Sequence, residues 1–204
     1  MGISYNFKKL IPKVISTCNI SDAMDRKGSL GAFKILNGPQ TAVHGRAVTC
    51  QTRAGDWWAV VKAIDTIKEG DILVASVTGG SDKAVMGELL AHSAKIRGAS
   101  AIVIDGYVRD VPELKELGIP IYARDYVSNA GNPEAHGKID VKIMINGTVV
   151  MPGDIIVCDG SGVVCIPLKK FDEVIEKAKG VVKKEDGIRK RILKGDLLGD
   201  ILGF

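Results

Sequence analysis

The stretch ILVASVTGGSDKAVMGELLAHSAKIRGASAIVIDGYVRD, residues 72–110, decides the fold class. Its opening run ILVASV has the length and the branched side chains of a buried strand, and the glycine-rich turn TGGSDK follows it. A helix is predicted to start near Ala84. Its apolar positions are Val85, Leu89 and Ile96, and the next run, SAIVIDG, is predicted to be a second buried strand. This β-α-β order predicts a partly parallel sheet that carries helices.

The segments on both sides extend the pattern. Upstream, Ser21 is predicted to cap a helix through SDAMDRKG that ends at Gly28. The run TAVHGRAVTCQT, residues 41–52, is rich in β-branched residues and predicts a strand, whereas DWWAVVKAIDTIKEGD predicts a helix that ends at Gly70. Downstream, VPELKELG predicts a short helix with Pro112 near its start, and IPIYAR predicts another strand.

The second half of the chain has a different pattern. Asn146-Gly147 lies between two alternating apolar runs, VKIMI and TVV, which is the strongest hairpin signal in the sequence. The run MPGDIIVCDGSGVVCIP predicts two more short strands, and a terminal helix is predicted to begin near Leu168. Because no Pro/Ser-rich linker or repeat interrupts the chain, we predict one α/β domain over residues 1–204, with residues 168–204 as a helical tail.

Composition and charge narrow the class of protein. The 204 residues are 46% hydrophobic and 25% charged, which is typical of a globular protein. No apolar run is long enough to cross a membrane and the first residues lack a secretory signal, so we expect a cytoplasmic protein without a membrane partner. The basic residues concentrate in the tail, where a solvated helix face is a commoner explanation than a nucleic-acid interface. The four cysteines form no C-x-x-C pair, and buried reduced thiols are predicted.

The glycine-rich turn is the first candidate site. Gly79 and Gly80 follow a predicted buried strand and precede a predicted helix, so backbone N–H groups and the helix N-terminus together could bind a carboxylate or phosphate. Two glycines in a tight turn explain the same residues without any ligand. The segment is neither a P-loop nor a dinucleotide-binding fingerprint.

The second candidate site follows the strand SAIVIDG. Arg109 and Asp110 come after its carboxyl end, where α/β sheets bind ligands. At such a place the arginine can bind an oxyanion and the aspartate can bind a divalent cation. A local ion pair or a helix cap is the alternative. Glu88 lies on the preceding helix, and consecutive βα units would bring it to the same sheet edge. His92 shares its helix face, either as a metal partner or, as we favour, as a partly buried histidine beside the sheet.

Four runs together resemble the family of RraA, the regulator of ribonuclease activity, and 4-hydroxy-4-methyl-2-oxoglutarate aldolase. They are SDAMDRKG, G-G-x-x-x-A-x-x-G-E-L-L-A (Gly79 to Ala91), V-I-D-G-x-x-R-D (Val103 to Asp110) and PGD-x-I-V-x-D-x-x-G-V-V-x-I-P (Pro152 to Pro167). The resemblance covers roughly residues 20–203. It implies an α/β/β/α swivelling-domain fold with mixed sheets, assembled as a homotrimer or hexamer with active sites between subunits.

The resemblance also implies an activity. Aldolase members of the family, which also decarboxylate oxaloacetate, carry an acid, twenty residues, then Arg-Asp, and this pattern falls on Glu88, Arg109 and Asp110. Glu88 replaces the family's usual Asp. The implied enzyme is a metal-dependent lyase that cleaves a small 2-oxo acid and leaves a pyruvate enolate. Its implied site has Mg²⁺ or Mn²⁺ on Asp110 directly, on Glu88 through water and on Glu185 of a neighbouring subunit through water, with substrate contacts from Gly79, Gly80, Gly87 and Arg109.

Three other classes stay open on the sequence. A non-catalytic RraA-like regulator of ribonuclease activity would act by protein–protein binding, although the intact Arg-Asp pair argues against it. A Schiff-base enzyme would use Lys83 in the glycine-rich turn as its nucleophile. A nucleic-acid-binding protein would depend on the basic tail, which makes it the class we least expect.

Overall fold

The computed structural model describes residues 11–80 and 82–204. The helices are α1 (Thr17–Ala23), α2 (Trp58–Ile64), α3 (Glu88–Ile96), α4 (Val111–Glu116), α5 (Phe171–Leu193) and α6 (Leu198–Leu202). The strands are β1 (Lys34–Leu36), β2 (Val43–Arg53), β3 (Ile72–Thr78), β4 (Ala101–Val108), β5 (Ile121–Tyr126), β6 (Lys138–Ile139), β7 (Ile143–Ile145), β8 (Thr148–Val150), β9 (Ile155–Asp159) and β10 (Gly162–Ile166).

The main sheet is mixed, with strand order β1-β5-β4-β3-β2-β9-β10, and β6 pairs with β2. Strands β2 to β5 run parallel, as the β-α-β pattern predicts. The long strand β2 serves two neighbours, because its first residues pair antiparallel with β9 and residues 47–53 pair with β3. The sheet therefore continues through β2 into β9 and β10.

Three hydrophobic cores divide the protein into four layers. Alternate residues of β3 show the arrangement: Leu73 and Ala75 pack with α2, α3 and α4, whereas Ile72 and Val74 pack against β7 to β10. The outer faces of β9 and β10 pack in turn against α1 and α5. Because both faces of the parallel strands are buried, their sequences are nearly continuous apolar runs. The order helices, sheet, sheet, helices confirms the predicted α/β/β/α architecture.

The first helix begins earlier than predicted. Ser16, not Ser21, caps α1, and its hydroxyl and backbone form a capping box with Asn19. The helix ends at Ala23 rather than at Gly28, because Asp25 and Arg26 both have positive φ. The prediction was wrong here because Asn in the third helical position replaces the Glu or Gln that normally marks a capping box.

Helix α3 is shorter than predicted and presents a different face. Residues 84–86 are extended, with bridges from Ala84 to Ala130 and from Met86 to Val108, so the helix begins at Glu88. Leu89 and Ile96 are 78% and 82% exposed, and Ala91 and Ala94 face the sheet instead. The predicted apolar stripe was therefore wrong, and small side chains let α3 approach the sheet closely. Helix α2 likewise ends at Ile64, before Gly70.

The predicted hairpin and tail are confirmed. Asn146 and Gly147 join β7 to β8 with positive φ at both residues, as a type I′ turn requires. The tail starts with a 3₁₀ turn at Leu168–Lys170 and continues as α5 and α6. None of the helices in the described residues is long and apolar enough to cross a membrane. Three of the four cysteines are buried as predicted, whereas Cys18 is exposed.

Candidate functional site

The candidate site lies where the parallel strands end. Strand β4 ends at Val108 and leads directly into Arg109 and Asp110. The extended segment before α3 runs beside it, since the Val85 N–H donates to the Tyr107 carbonyl and the Arg109 N–H donates to the Met86 carbonyl, both at 3.0 Å. Two segments that are twenty residues apart in the sequence are thereby held side by side at the carboxyl edge of the sheet.

Asp110 has an unusual backbone conformation. It precedes α4 with φ 60° and ψ 45°, in the left-handed region that costs a non-glycine residue about 1–3 kcal/mol. Its side chain does not cap α4. Instead, Oδ2 of Asp110 accepts a hydrogen bond at 3.1 Å from the backbone N–H of Glu88. Glu88 is the first residue of α3. The carboxylate thus binds the positive end of α3, and the helix-cap alternative for α4 is wrong.

Arg109 and Asp110 form an ion pair. Arg109 Nε lies 3.5 Å from Asp110 Oδ2, and the two side chains are 42% and 35% exposed. Both side chains remain partly exposed and both residues line a pocket, so both are accessible to a ligand there. The local ion pair, which was one of the alternatives for these two residues, is therefore present in the structure. Its presence is compatible with ligand binding.

Gly87 allows this close arrangement. A Cβ atom at this position would lie far inside 3.0 Å of Asp110 Oδ2 and 3.1 Å from Arg109 Cγ. Its φ of −138° is extended backbone that any residue adopts, so space is the reason for glycine here. Gly87 was predicted to contact substrate, and the structure places it on the wall of the same pocket as Arg109 and Asp110.

The pocket has a volume of about 300 Å³. Its charged edge is formed by Arg109 and Asp110, and much of the remaining wall is apolar. The residues that line it are Trp57, Ala84, Val85, Met86, Gly87, Leu89, Leu90, Arg109, Asp110, Ala130 and Gly131. Arg109 and Asp110 also line a second recess of about 350 Å³ together with Val111, Tyr126, Val127 and Ser128.

Sequence reasoning missed the far wall of the pocket. Trp57, at the start of the predicted helix DWWAVVKAIDTIKEGD, lines the pocket, and its Nε1–H donates to the Gly131 carbonyl at 3.1 Å. Ala130 and Gly131 come from a loop with no recognisable chemistry. The only signal in the sequence is the glycine itself, because a Cβ at Gly131 would overlap the Gly55 carbonyl.

Asp56 fixes this far wall. Its buried carboxylate accepts backbone hydrogen bonds from Trp58 at 3.1 Å, Glu134 at 3.0 Å and His136 at 2.9 Å. Burial alone would raise the pKa of Asp56, but these three N–H donors hold the pKa below its ordinary value of 3.8. The carboxylate therefore ties residues 134–136 to the start of α2.

Several predicted site residues lie elsewhere. Gly79 and Gly80 are exposed at the end of β3 with positive φ, and they do not line the pocket. Glu88 contacts Asp110 through its backbone, whereas its carboxylate Oε1 lies 3.1 Å from Nε2 of His92. The side chain of His92 is 50% exposed and pairs with Glu88 on the helix surface. The prediction of a partly buried histidine beside the sheet was therefore wrong. Lys83 does not line the pocket, and neither does any other lysine among the described residues.

Glu185 lies on α5, in the helical layer opposite α3. There it accepts a hydrogen bond from Asn19 Nδ2 of the same chain at 2.9 Å. Its predicted contribution to a neighbouring subunit stays a prediction. Within residues 11–80 and 82–204 of one chain, no cluster of three or more His, Cys, Asp or Glu side chains is placed to hold a metal ion.

The fold and the site define the class: an α/β/β/α protein with a small pocket, edged by Arg109 and Asp110, at the carboxyl edge of its parallel strands. Comparisons with known proteins then give the family. The sequence model described as RraA-like, Aldolase/RraA, matches residues 17–165. The chain belongs to this family.

Two sequence relatives cover more than nine tenths of the chain. An uncharacterized protein of Methanocaldococcus jannaschii is 40% identical over 196 residues, covering 95% of this chain and 93% of its own. A protein of Halalkalibacterium halodurans named "Putative 4-hydroxy-4-methyl-2-oxoglutarate aldolase" is 34% identical over 187 residues, covering 91% and 88%. The solved structure of the RNA-processing inhibitor RraA from Thermus thermophilis superposes with a TM-score of 0.65 at 27% identity, covering 74% of this chain and 92% of that one.

Proposed function

We propose that the protein is a divalent-metal-dependent lyase that forms pyruvate enolate, by retro-aldol cleavage of 4-hydroxy-2-oxo acids and by decarboxylation of oxaloacetate. The observation that carries the proposal is the convergence of Arg109, Asp110 and Gly87 on one pocket. The relatives named as aldolases support the same reaction class.

The donor set fits a hard divalent cation. Mg²⁺ is commonly bound by one or two carboxylates together with substrate oxygens and waters, so a site with Asp110 as its one carboxylate at the pocket is sufficient. The Oδ1 oxygen of Asp110 would hold Mg²⁺ or Mn²⁺, and Glu88 would act through water. When bound, the ion would polarise the 2-keto group of the substrate.

Arg109 would stabilise the charge that develops during the reaction. In retro-aldol cleavage the 4-hydroxyl loses its proton and the C3–C4 bond breaks. C4 leaves as the carbonyl carbon of an aldehyde, or of a ketone where C4 also carries a methyl group, and the electron pair of the broken bond becomes the enolate of pyruvate. In oxaloacetate decarboxylation the same bond breaks and carbon dioxide leaves. In both cases Arg109 would neutralise the enolate oxygen, because a guanidinium stays protonated at every relevant pH.

The proton steps fall to Glu88 in this proposal. Its carboxylate, paired with His92, would hold a water that takes the proton from the 4-hydroxyl and returns one to C3 of the enolate. Binding of the substrate carboxylate would rest on Arg109 and on the wall at Gly87, which line the pocket. Contacts from Gly79 and Gly80 would require another arrangement of their turn.

Assembly is part of the proposal. Apolar side chains are exposed at the end of α5 and in α6, and a homotrimer or hexamer would bury them and bring Glu185 to a neighbouring site. The residues concerned are Ile192, Leu193, Leu197, Leu198, Leu202 and Phe204. Light scattering of the active preparation measures this directly, and a fully active monomer would contradict it.

One assay tests the activity. Pyruvate release is followed from oxaloacetate and from 4-hydroxy-4-methyl-2-oxoglutarate, with Mg²⁺, with EDTA, and with Mg²⁺ restored. Release that EDTA abolishes and Mg²⁺ restores supports the proposal. Borohydride trapping of pyruvate on the protein would indicate a Schiff base instead. A folded protein that releases pyruvate from neither substrate would refute the proposal and leave the regulator of ribonuclease activity as the alternative.

A further inference from the structure

A second cavity, of about 590 Å³, lies outside the candidate site and shares no lining residue with the pocket beside Arg109. Its walls come from three parts of the chain: the loop after α1, the turn between β7 and β8, and the segment from the end of β10 into the first turns of α5. These parts are residues 23–29, residues 146–149 and residues between 165 and 177. We call it the α5 cavity. Its volume is in the range that proteins use to bind small organic ligands.

The walls of the α5 cavity are tied together by hydrogen bonds within one chain. The Cys165 N–H donates to the Gly28 carbonyl at 2.8 Å, which joins the loop after α1 to β10. The hydroxyl of Thr148 donates to the Ser29 carbonyl at 2.9 Å, which joins the same loop to the β7–β8 turn. Gly28 has φ +84°, and a Cβ there would lie 2.8 Å from the Cys165 carbonyl oxygen. The cavity is therefore a fixed feature of the fold.

The loop after α1 holds two strained residues at the cavity. Asp25 and Arg26 have φ of 56° and 61°, in the left-handed region that disfavours every residue except glycine. Both residues line the cavity. Glycine would adopt this conformation without strain, yet the run SDAMDRKG has an arginine here. Such strain is concentrated at functional sites, and here it provides a guanidinium group that glycine could not supply.

The α5 cavity has an excess of positive charge. Among the described residues that line it, the charged ones are Arg26, Lys27, Lys170 and Lys177 against Asp25 and Glu173. Glu173 is paired with Lys177, whose Nζ lies 2.7 Å from Oε1. This hydrogen bond and, to a smaller extent, the charge of Lys170 hold the pKa of Glu173 below its ordinary value. Arg26, Lys27 and Lys170 form no ion pair with a described residue, so their charges can meet an anionic ligand.

The groups around the cavity match a phosphate ester that carries a larger body. A guanidinium such as that of Arg26 binds phosphate through two N–H groups, and lysines add point charges. The lining also includes the apolar side chains of Met24, Val149 and Val174, and the amide of Asn146 can both donate and accept hydrogen bonds. Inorganic phosphate would fill only a small part of about 590 Å³. A nucleotide would fill the rest with its ribose and base.

We propose that the α5 cavity binds a nucleotide. Its phosphates lie at Arg26, Lys27 and Lys170, and its nucleoside packs on the apolar side chains near Asn146. The site is independent of the proposed lyase activity, because none of its residues lines the pocket of Arg109.

Isothermal titration calorimetry without a divalent cation tests the binding. The ligands are ADP, GDP, CDP and UDP, together with the four nucleosides and pyrophosphate. We expect at least one nucleoside diphosphate to bind one site per chain with a Kd below about 1 mM. Its nucleoside and pyrophosphate should each bind about tenfold or more weakly, because each makes only one half of the contacts. Absence of binding by all four diphosphates, or pyrophosphate binding as tight as the nucleotide, would overturn the proposal.

Two substitutions place the nucleotide in the cavity. Arg26→Gly and Lys170→Ala should each raise the Kd by about tenfold or more. Glycine removes the backbone strain at position 26, so the Tm of Arg26→Gly should equal or exceed that of the wild type, and the loss of binding is then not a loss of fold. The matched control is Lys169→Ala, an exposed lysine next to Lys170 and outside the cavity, which should leave the Kd unchanged. Equal Kd values for Lys169→Ala and Lys170→Ala would show that the cavity is not the site.

Arg109→Ala distinguishes the α5 cavity from the candidate lyase site, which also offers a cation. Nucleotide binding should be unchanged in this variant and weakened in Arg26→Gly. The reverse result would place the nucleotide beside Arg109 and overturn the proposal, whatever the variant does to pyruvate release.

Discussion

Replacing Gly87 with alanine adds a single methyl group at the point where two site residues meet. The new Cβ would lie far inside 3.0 Å of Asp110 Oδ2 and 3.1 Å from Arg109 Cγ. To restore an ordinary contact, the Asp110 carboxylate must move by about 1 Å, and a misplacement of that size costs about 10²-fold in rate. The backbone contributes no strain, because φ at Gly87 is −138°.

We therefore expect Gly87→Ala to lower kcat/KM for oxaloacetate decarboxylation by about 10²-fold. The free energy of unfolding should fall by only about 1–3 kcal/mol relative to the wild type. The rate is measured by pyruvate release, and stability is measured by urea unfolding followed by circular dichroism. Gly160→Ala is the matched control. Gly160 lies between β9 and β10, without positive φ and with nothing within 4 Å of an added Cβ. A Gly87→Ala enzyme with wild-type kcat/KM would refute the argument from close contact.

Three further predictions concern single side chains. Arg109→Ala should lower kcat/KM for oxaloacetate by roughly 10²-fold, about 3 kcal/mol, without unfolding the protein. Arg109→Lys should recover little of this loss, because lysine lacks the planar guanidinium of arginine. Wild-type rates in the alanine variant would exclude the assigned role. Asp110→Asn should raise the Mg²⁺ concentration for half-maximal rate, since a neutral amide is a poorer ligand, and superimposable metal titrations would contradict this. Asp56→Asn should lower the free energy of unfolding by about 1–3 kcal/mol at pH 7. Because the pKa of Asp56 is depressed, its contribution is present above pH 3.8 and is lost as pH falls through the folded-state value. The difference between wild type and variant should therefore narrow below pH 3.8, and a difference that stays constant from pH 7 to pH 2.5 would show that the charge is unimportant.

Local patterns predicted the order of elements well. The parallel strands β3 and β4 have nearly continuous apolar sequences because both of their faces are buried, and such runs are visible without a structure. The Asn146-Gly147 turn was equally predictable, because positive φ at two successive residues restricts the choice of side chain. The position of Arg109 and Asp110 at a sheet edge follows from the same β-α-β order.

The start of α3 could not be predicted in this way. Residues 84–86 are apolar and compatible with a helix, yet they are extended, because their backbone groups bond to segments around Tyr107 and Asn129. This change moves the helix N-terminus away from Gly79 and Gly80 to Gly87. The anion-binding amides that the sequence assigned to the glycine-rich turn are consequently not at the pocket.

The sequence by itself thus determined the alternation of strands and helices and the identity of the charged residues, because these depend on neighbours a few positions apart. Only the tertiary structure decided what faces those charges. Trp57, Gly87 and Gly131 line the same pocket as Arg109, and segments far apart in the chain are joined there by contacts such as the hydrogen bond from the Trp57 indole to the Gly131 carbonyl. No local pattern encodes such contacts, because each depends on how the layers pack.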